Sequence, residues 1–209
     1  LDNWKSLKAE CKLGNAQLMA VSKGQPTERI LPLLKAGQIL FGENRVQEVF
    51  HKWPSLKQDY PEIKLHLIGP LQTNKVEKAI RLFDCIQSVD RIHLAQTLKQ
   101  EMSRLNINIP LMIQLNLGDE PQKSGVSLSK ADDFISHCKY ELKLPIIGLM
   151  GIPPFKENPV PYFKDLVTLA NRHDLPERSI GMSLDYKEAI QCGSTLVRIG
   201  TALFGSRLQ

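Results

Sequence analysis

Eight short apolar runs, each closed by a polar or glycine residue and followed by a segment of different periodicity, recur along this chain. This recurrence constrains the fold more than any other feature. A continuously apolar strand is covered on both faces, as in a parallel sheet, and parallel neighbours need a crossover of helical length between them. The runs fall at residues 18–21, 39–41, 65–68, 85–89, 111–117, 146–150, 179–182 and 196–199. Between them the pattern predicts helices over 26–34, 45–52, 90–105, 162–170 and 185–191, with others beginning after Thr73 and at Leu128. The second of these has Val46, Val49 and Phe50 inward and a stop before Pro54. An amphipathic helix over Asp2–Leu13, closed by Gly14, precedes the first strand. Eight strands alternating with helices close most naturally into a (β/α)8 TIM barrel, an α/β fold, with an open doubly wound sheet as the alternative. A chain of 209 residues suits one such domain over 1–209.

Lys and Arg number 27 against 22 Asp and Glu, a net charge of +5. A basic excess raises nucleic acid as a partner, but its distribution argues against it. Basic and acidic residues alternate along helical segments, as in Lys75-Val76-Glu77-Lys78, without a block of like charge or interleaved aromatic residues. The excess reads as a solvated surface with a local need to hold an anion. Cys11, Cys85, Cys138 and Cys192 form no Cys-x-x-Cys pair, so no metal site or redox motif is indicated, and reduced cytoplasmic thiols are expected. No stretch approaches the ~20 apolar residues of a membrane span, and no basic-then-apolar signal pattern opens the chain. It begins at Leu1, which leaves an upstream segment open.

In a barrel the ligand crevice lies at the C-terminal edge of the strands. On that rim the sequence places Ser22-Lys23, Glu43-Asn44, His66 with Gly69, Ser88, Asn116, Gly151, Ser183 and Gly200-Thr201. Lys23 stands where the first apolar run stops, before Gly24-Gln25-Pro26. Partial desolvation there lowers a lysine pKa and frees the amine that forms an imine with an aldehyde; a solvated loop lysine is the alternative. The loops after strands seven and eight commonly bind phosphate in barrels. Here they read Gly181-Met182-Ser183 and Arg198-Ile199-Gly200-Thr201, with hydroxyls and backbone N–H groups before a helical turn. Ordinary strand-end turns with hydroxyl caps are the alternative. Arg198 alternates to the same side as Gly200 and points into the barrel mouth. A buried arginine needs a partner, either a pyridine nitrogen or a carboxylate. Lysine and phosphate on one rim fit a Schiff-base aldolase acting on a phosphorylated sugar, or pyridoxal phosphate.

Seven stretches, in order along nearly the whole chain, carry a resemblance: Val21-Ser22-Lys23, Phe41-Gly42-Glu43-Asn44-Arg45-Val46-Gln47-Glu48, His66-Leu67-Ile68-Gly69-Pro70-Leu71-Gln72-Thr73-Asn74-Lys75, Gln122-Lys123-Ser124-Gly125, Gly148-Leu149-Met150, Ser179-Ile180-Gly181-Met182-Ser183-Leu184-Asp185 and Val197-Arg198-Ile199-Gly200-Thr201-Ala202. Together they resemble the signature set of the pyridoxal phosphate homeostasis proteins, single-barrel relatives of the alanine racemase N-terminal domain. The resemblance implies that fold with an extra N-terminal helix, and pyridoxal 5'-phosphate (PLP) as cofactor. Lys23 matches the lysine of the internal aldimine, Arg198 the arginine at the pyridine nitrogen, and Ser183, Gly200 and Thr201 the phosphate positions. Asn44, Met182, His66 and Lys123 resemble positions in or near the pocket; a core histidine is the alternative for His66. Many members carry a second lysine where this chain has Gln25, which leaves Lys123 as the auxiliary amine.

Arginine donates to a pyridine nitrogen but hardly gives it a proton, so the ring stays a weak electron sink. Racemisation further needs a second base. In the racemases this is a tyrosine from an additional β domain, which is not expected within a chain running from Ala202 only to Gln209. The expected function is PLP buffering or delivery by a cytoplasmic monomer, with PLP-dependent apoenzymes as recipients, no catalytic residues and no dedicated turnover. A racemase-like enzyme, with Tyr162 or Tyr186 as the candidate base, and a cofactor-free aldolase are the alternatives, and a pure interaction module is a third class. An exposed Trp4 or Trp53 would mark an interface.

Overall fold

The computed structural model describes residues 1–205. Helix α1 (Asp2–Leu13) precedes the alternation β1 (Gln17–Val21), α2 (Thr27–Lys35), β2 (Leu40–Glu43), α3 (Val46–Asp59), β3 (Lys64–Leu67), α4 (Val76–Leu82), β4 (Cys85–Val89) and α5 (Ile92–Leu105). It continues through β5 (Leu111–Asn116), a two-residue strand β6 (Val126–Ser127), α6 (Leu128–Ser136), β7 (Ile146–Gly151), α7 (Val160–Arg172), β8 (Glu177–Met182), α8 (Tyr186–Gln191), β9 (Leu196–Ile199) and α9 (Thr201–Phe204). All strand pairs are parallel. The order β4-β3-β2-β1-β9-β8-β7-β5 is closed by the pairing of β4 with β5, while β6 only extends the edge of β5. The eight expected strands thus form the closed barrel, and the open-sheet alternative falls away.

Alternation along the strands sorts the side chains into two compartments. Leu18 and Ala20 of β1, Leu65 and Leu67 of β3 and Val197 and Ile199 of β9 join one large apolar cluster with the buried faces of the helices. Their neighbours point into the lumen, where a small cluster of Met19, Leu40 and Leu196, with Ile68 against it, fills one layer. The rest of the lumen is polar in part: Gln87, Ser179 and Arg198 are buried there. In a barrel packed with branched aliphatic layers this is a departure, and it places hydrogen-bonding groups directly beneath the functional rim.

Several local expectations are revised. Helix α3 does not stop before Pro54 but runs through it to Asp59. Its buried stripe Val46, Val49, Trp53 and Leu56 spans the proline, and the packing of that stripe outweighs one lost backbone bond. That bond would have ended on the Phe50 carbonyl; Phe50, expected inward, is 55% exposed. Neither tryptophan marks a surface. Trp4 and Trp53 are buried, with their indole N–H groups bonded to Gln38 Oε1 and Glu43 Oε1. Among the described residues no helix is long and apolar enough to cross a membrane.

Candidate functional site

Strand β1 ends at Val21, and the chain turns at once through Ser22 to Gln25, with Gln25 N–H donating to Ser22 O at 3.0 Å and Gly24 at φ +67°. This turn carries Lys23, half-buried on the rim. It is gripped from outside the barrel. Lys52 Nζ of α3 donates to Ser22 O at 3.0 Å and Gln25 O at 3.3 Å, and Gly24 N–H donates to Glu48 Oε1 at 2.6 Å. The Ser22 hydroxyl donates to Glu43 Oε1 at 2.7 Å, an oxygen that also takes Trp53 Nε1–H at 3.0 Å and lies 2.6 Å from Lys52 Nζ. Glu43, placed on the rim by sequence, therefore faces α3 rather than the barrel mouth. Its carboxylate is wholly buried, and desolvation raises its pKa against the opposing pull of Lys52.

Arg198 points inward from β9, as alternation with Leu196 requires, and is 4% exposed. Its Nη1 donates to the Ser179 carbonyl and, at 2.8 Å, to the Ser179 hydroxyl; Nη2 donates to the Gly151 carbonyl at 3.0 Å. Every one of these acceptors is neutral. No direct ion pair joins Arg198 to a carboxylate among the described residues, although the Asp185 carboxylate on the same cavity wall is near enough to favour its charge. Burial lowers its pKa to about 10, so the guanidinium remains charged at neutral pH.

The loops after β8 and β9 meet through one bond, Ala202 N–H donating to Ser183 Oγ at 3.2 Å. Gly181, the penultimate residue of β8, has φ +93°, and a Cβ there would lie 2.5 Å from Ala189 Cβ, so only glycine fits. Met182 N–H then donates to Asp185 Oδ1 at 2.6 Å, closing the loop. Gly69 admits another close approach: a Cβ there would lie 2.3 Å from the Asn44 carbonyl oxygen.

These elements enclose a cavity of ≈ 790 Å³ at the C-terminal end of the barrel. Lys23, Asn44, Lys123, Met182, Ser183, Arg198, Gly200 and Thr201 all line it, so eight of the nine residues that the family resemblance points to converge, while Ser22, Gly69, Ser88, Asn116 and Gly151 of the expected rim do not line it. Lys123 is oriented by an ion pair with Glu120 and a bond to the Pro153 carbonyl at 3.4 Å. His66 stands elsewhere. It lines a second cavity of ≈ 690 Å³ with Lys64, Phe83 and Pro110, and its Nδ1 lies 2.9 Å from Gln87 Nε2. Burial lowers its pKa to about 4. His66 is thus a partly buried lumen residue with a side-chain partner, neither in the candidate cavity nor held by a backbone carbonyl.

Gln25 lines the cavity, and it accepts a bond from Arg29 Nη1 at 3.0 Å. None of the tyrosines lines it; Tyr162 donates to Glu157 and Tyr186 to Glu10. Sequence reasoning missed the roles of Lys52 and Trp53, which carry no rim signal because they sit mid-helix behind the barrel wall. It also missed Pro153, Pro154 and Phe155 of the β7–α7 loop, which line the mouth.

The site fits an aldehyde cofactor with a pyridine ring and a phosphate. An amine stands on the rim, a buried guanidinium without a carboxylate partner faces the same space, and hydroxyl and backbone groups lie beside them. The volume is within the ~300–1,000 Å³ usual for such ligands. Together, barrel and site define the class of the alanine racemase N-terminal domain, and the model of the family described as "Alanine racemase, N-terminal domain" matches residues 1–208. A protein of Aquifex aeolicus named pyridoxal phosphate homeostasis protein is 39% identical over 204 residues, covering 92% of this chain and 87% of its own. Its namesake in Escherichia coli K12 is 36% identical over 199 residues, covering 91% and 85%. The structure of PipY of Synechococcus elongatus with PLP bound superimposes with a TM-score of 0.87 at 33% identity, covering 98% of this chain and 99% of that one. An alanine racemase of Clostridium difficile shares the fold at a TM-score of 0.78 and 14% identity, with 58% of its length covered. The chain belongs to the pyridoxal phosphate homeostasis proteins within the alanine racemase N-terminal domain family.

Proposed function

We propose that this chain binds PLP in the C-terminal cavity, holds it covalently through the Lys23 amine, and takes part in PLP homeostasis by buffering or delivering it. The observation that carries the reading is the buried, charged Arg198, which faces the cavity beside Lys23 and whose hydrogen bonds go only to neutral acceptors. When bound, the cofactor supplies an aldehyde for the amine and an electron-withdrawing ring.

Arg198 donates to the pyridine nitrogen and keeps its own proton, since a guanidinium of pKa about 10 does not acidify that atom at neutral pH. Ser183, Gly200 and Thr201 take the phosphate, with Asn44 and Met182 as flanking walls and Lys123 as a second amine. No tyrosine among the described residues lines the cavity, so no phenolic base faces Lys23 across it. This arrangement favours retention over turnover. The chain acts as a cytoplasmic monomer that passes PLP to PLP-dependent apoenzymes.

The test is the visible spectrum of the purified protein with added PLP. A band that borohydride removes while fixing the cofactor to Lys23, and that Lys23→Ala lacks, is the expected result. Wild-type protein that binds no PLP overturns the reading. Amino-acid racemisation that disappears in Lys23→Ala overturns its non-catalytic part.

A further inference from the structure

A single chain of hydrogen bonds crosses the barrel lumen beneath the cavity. Arg198 of β9 donates to Ser179 Oγ of β8 at 2.8 Å, Ser179 Oγ donates to Gln87 Oε1 of β4 at 2.7 Å, and Gln87 Nε2 lies 2.9 Å from His66 Nδ1 of β3. Strands β8 and β4 are not neighbours in the barrel, so the Ser179–Gln87 bond spans the lumen. The direction of every bond follows from its first donor. A guanidinium has no acceptor, so Ser179 Oγ must accept from it and turn its own hydrogen to Gln87. Gln87 Oε1 is then the acceptor and its amide nitrogen the donor. His66 Nδ1 must accept in turn, which leaves its proton on Nε2 and the imidazole neutral. Ser179 and Gln87 are fully buried, so the polarity of the bonds between Arg198 and Gln87 is not exchanged with water, while His66 is partly buried.

The consequence is felt at Arg198. Of the five N–H donors of its guanidinium, three are held by the Ser179 carbonyl, the Ser179 hydroxyl and the Gly151 carbonyl. The fork is clamped on its lumen side, and its remaining donors are those it can present to a ligand in the cavity. We infer that Ser179, Gln87 and His66 are positioning residues of the cofactor site, a neutral relay that orients the Arg198 guanidinium toward the ring nitrogen of the bound ligand. The inference rests on the proposed PLP reading and deepens it, because it extends the site across the barrel to a histidine whose own ring lines the opposite cavity.

The test separates a role through Arg198 from a merely structural one. PLP affinity is measured by spectral titration for wild type, Gln87→Met, Arg198→Lys and the double variant. Gln87→Met keeps the volume and removes both bonds, and it should weaken PLP about tenfold in the wild-type background, yet have little effect where Arg198 is already replaced. A loss of equal size in both backgrounds, or no loss in the first, overturns the relay. Ser179→Ala runs the same cycle should Gln87→Met not fold. A second readout needs no cofactor. By NMR, the guanidinium hydrogens of Arg198, identified by their absence in Arg198→Lys, should exchange slowly with water in wild type and at least about tenfold faster in Gln87→Met. Unchanged exchange would falsify the clamp even where PLP binding proves real, whereas wild-type protein that fails to bind PLP sinks the functional reading on which the inference rests.

Discussion

The two walls of the cavity are held in opposite ways. On one side the turn bearing Lys23 is gripped from outside the barrel by charges, with Glu43, Glu48 and Lys52 drawn together behind it. On the other, Arg198 is clamped from inside by neutral groups, from Ser179 through Gln87 to His66. The difference follows from what each wall does in the proposed function. A covalent bond to Lys23 needs the amine at one place but not a charge kept for the ligand, so its turn tolerates an ionic knot. Arg198 has to offer its charge to the ligand. A carboxylate bonded directly to it would take up that charge, whereas neutral hydrogen-bond acceptors fix the geometry and leave the donors available.

The largest effect that can break this comparison lies in the knot. Lys52→Met leaves Glu43 buried without its cation, and should cost about 3–5 kcal/mol in urea unfolding while loosening the turn and slowing borohydride capture at Lys23. Removing both charges in Glu43→Leu with Lys52→Met should recover much of the stability but not the capture. Recovery of both would show that the knot serves the fold alone.

Acid sharpens the contrast next. His66 is lowered from 6.5 to about 4, so between those values the unfolded chain binds more protons than the folded one. Its contribution is complete above pH 6.5 and is lost as pH falls toward 4, approaching ~3 kcal/mol. Glu43 has the opposite sign: its raised pKa means that the folded state takes up a proton first, so acidification relieves the knot while it strains the relay. The stability difference between wild type and His66→Gln, followed from pH 7.5 to 4 at the order of ~0.5-unit steps, isolates the inner wall. Parallel curves would remove the neutral histidine from the relay.

Smaller changes follow. Ser179→Ala strands Gln87 Oε1 and should cost about 1–2 kcal/mol in the same unfolding assay. Glu48→Gln at the knot's more open edge keeps an acceptor for Gly24 N–H and should cost about 0.5 kcal/mol or less, with a loss that fades in high salt. A cost as large as that of Lys52→Met would mean that the knot has no exposed edge.

The legibility of the chain divides along the same line. Of the residues expected on the rim, Lys23, Asn44, Ser183, Gly200 and Thr201 line one cavity, with Arg198 from within β9, whereas Ser22, Ser88 and Asn116 do not line it. Glu43, one residue before Asn44, was placed on the same rim and faces away, because a period of two sends neighbours to opposite faces. His66 looked like a rim residue but lies deeper, and Pro54 looked like a stop but is carried through by the stripe from Val46 to Leu56. In each case local pattern was silent about what packs against the element, and at Pro54 that packing also moved the end of the helix.

The amino-acid order by itself determined the number of barrel strands, their parallel sense and the rim on which an amine and a guanidinium would stand. These follow from periodicity and chain length, which act between near neighbours. Only the tertiary structure decided which polar groups meet. Ser179 and Gln87 are 92 residues apart in sequence and 2.7 Å apart in the lumen. A buried polar group is costly until it finds a partner, and closure of the barrel, not spacing along the chain, determines which partner lies within reach.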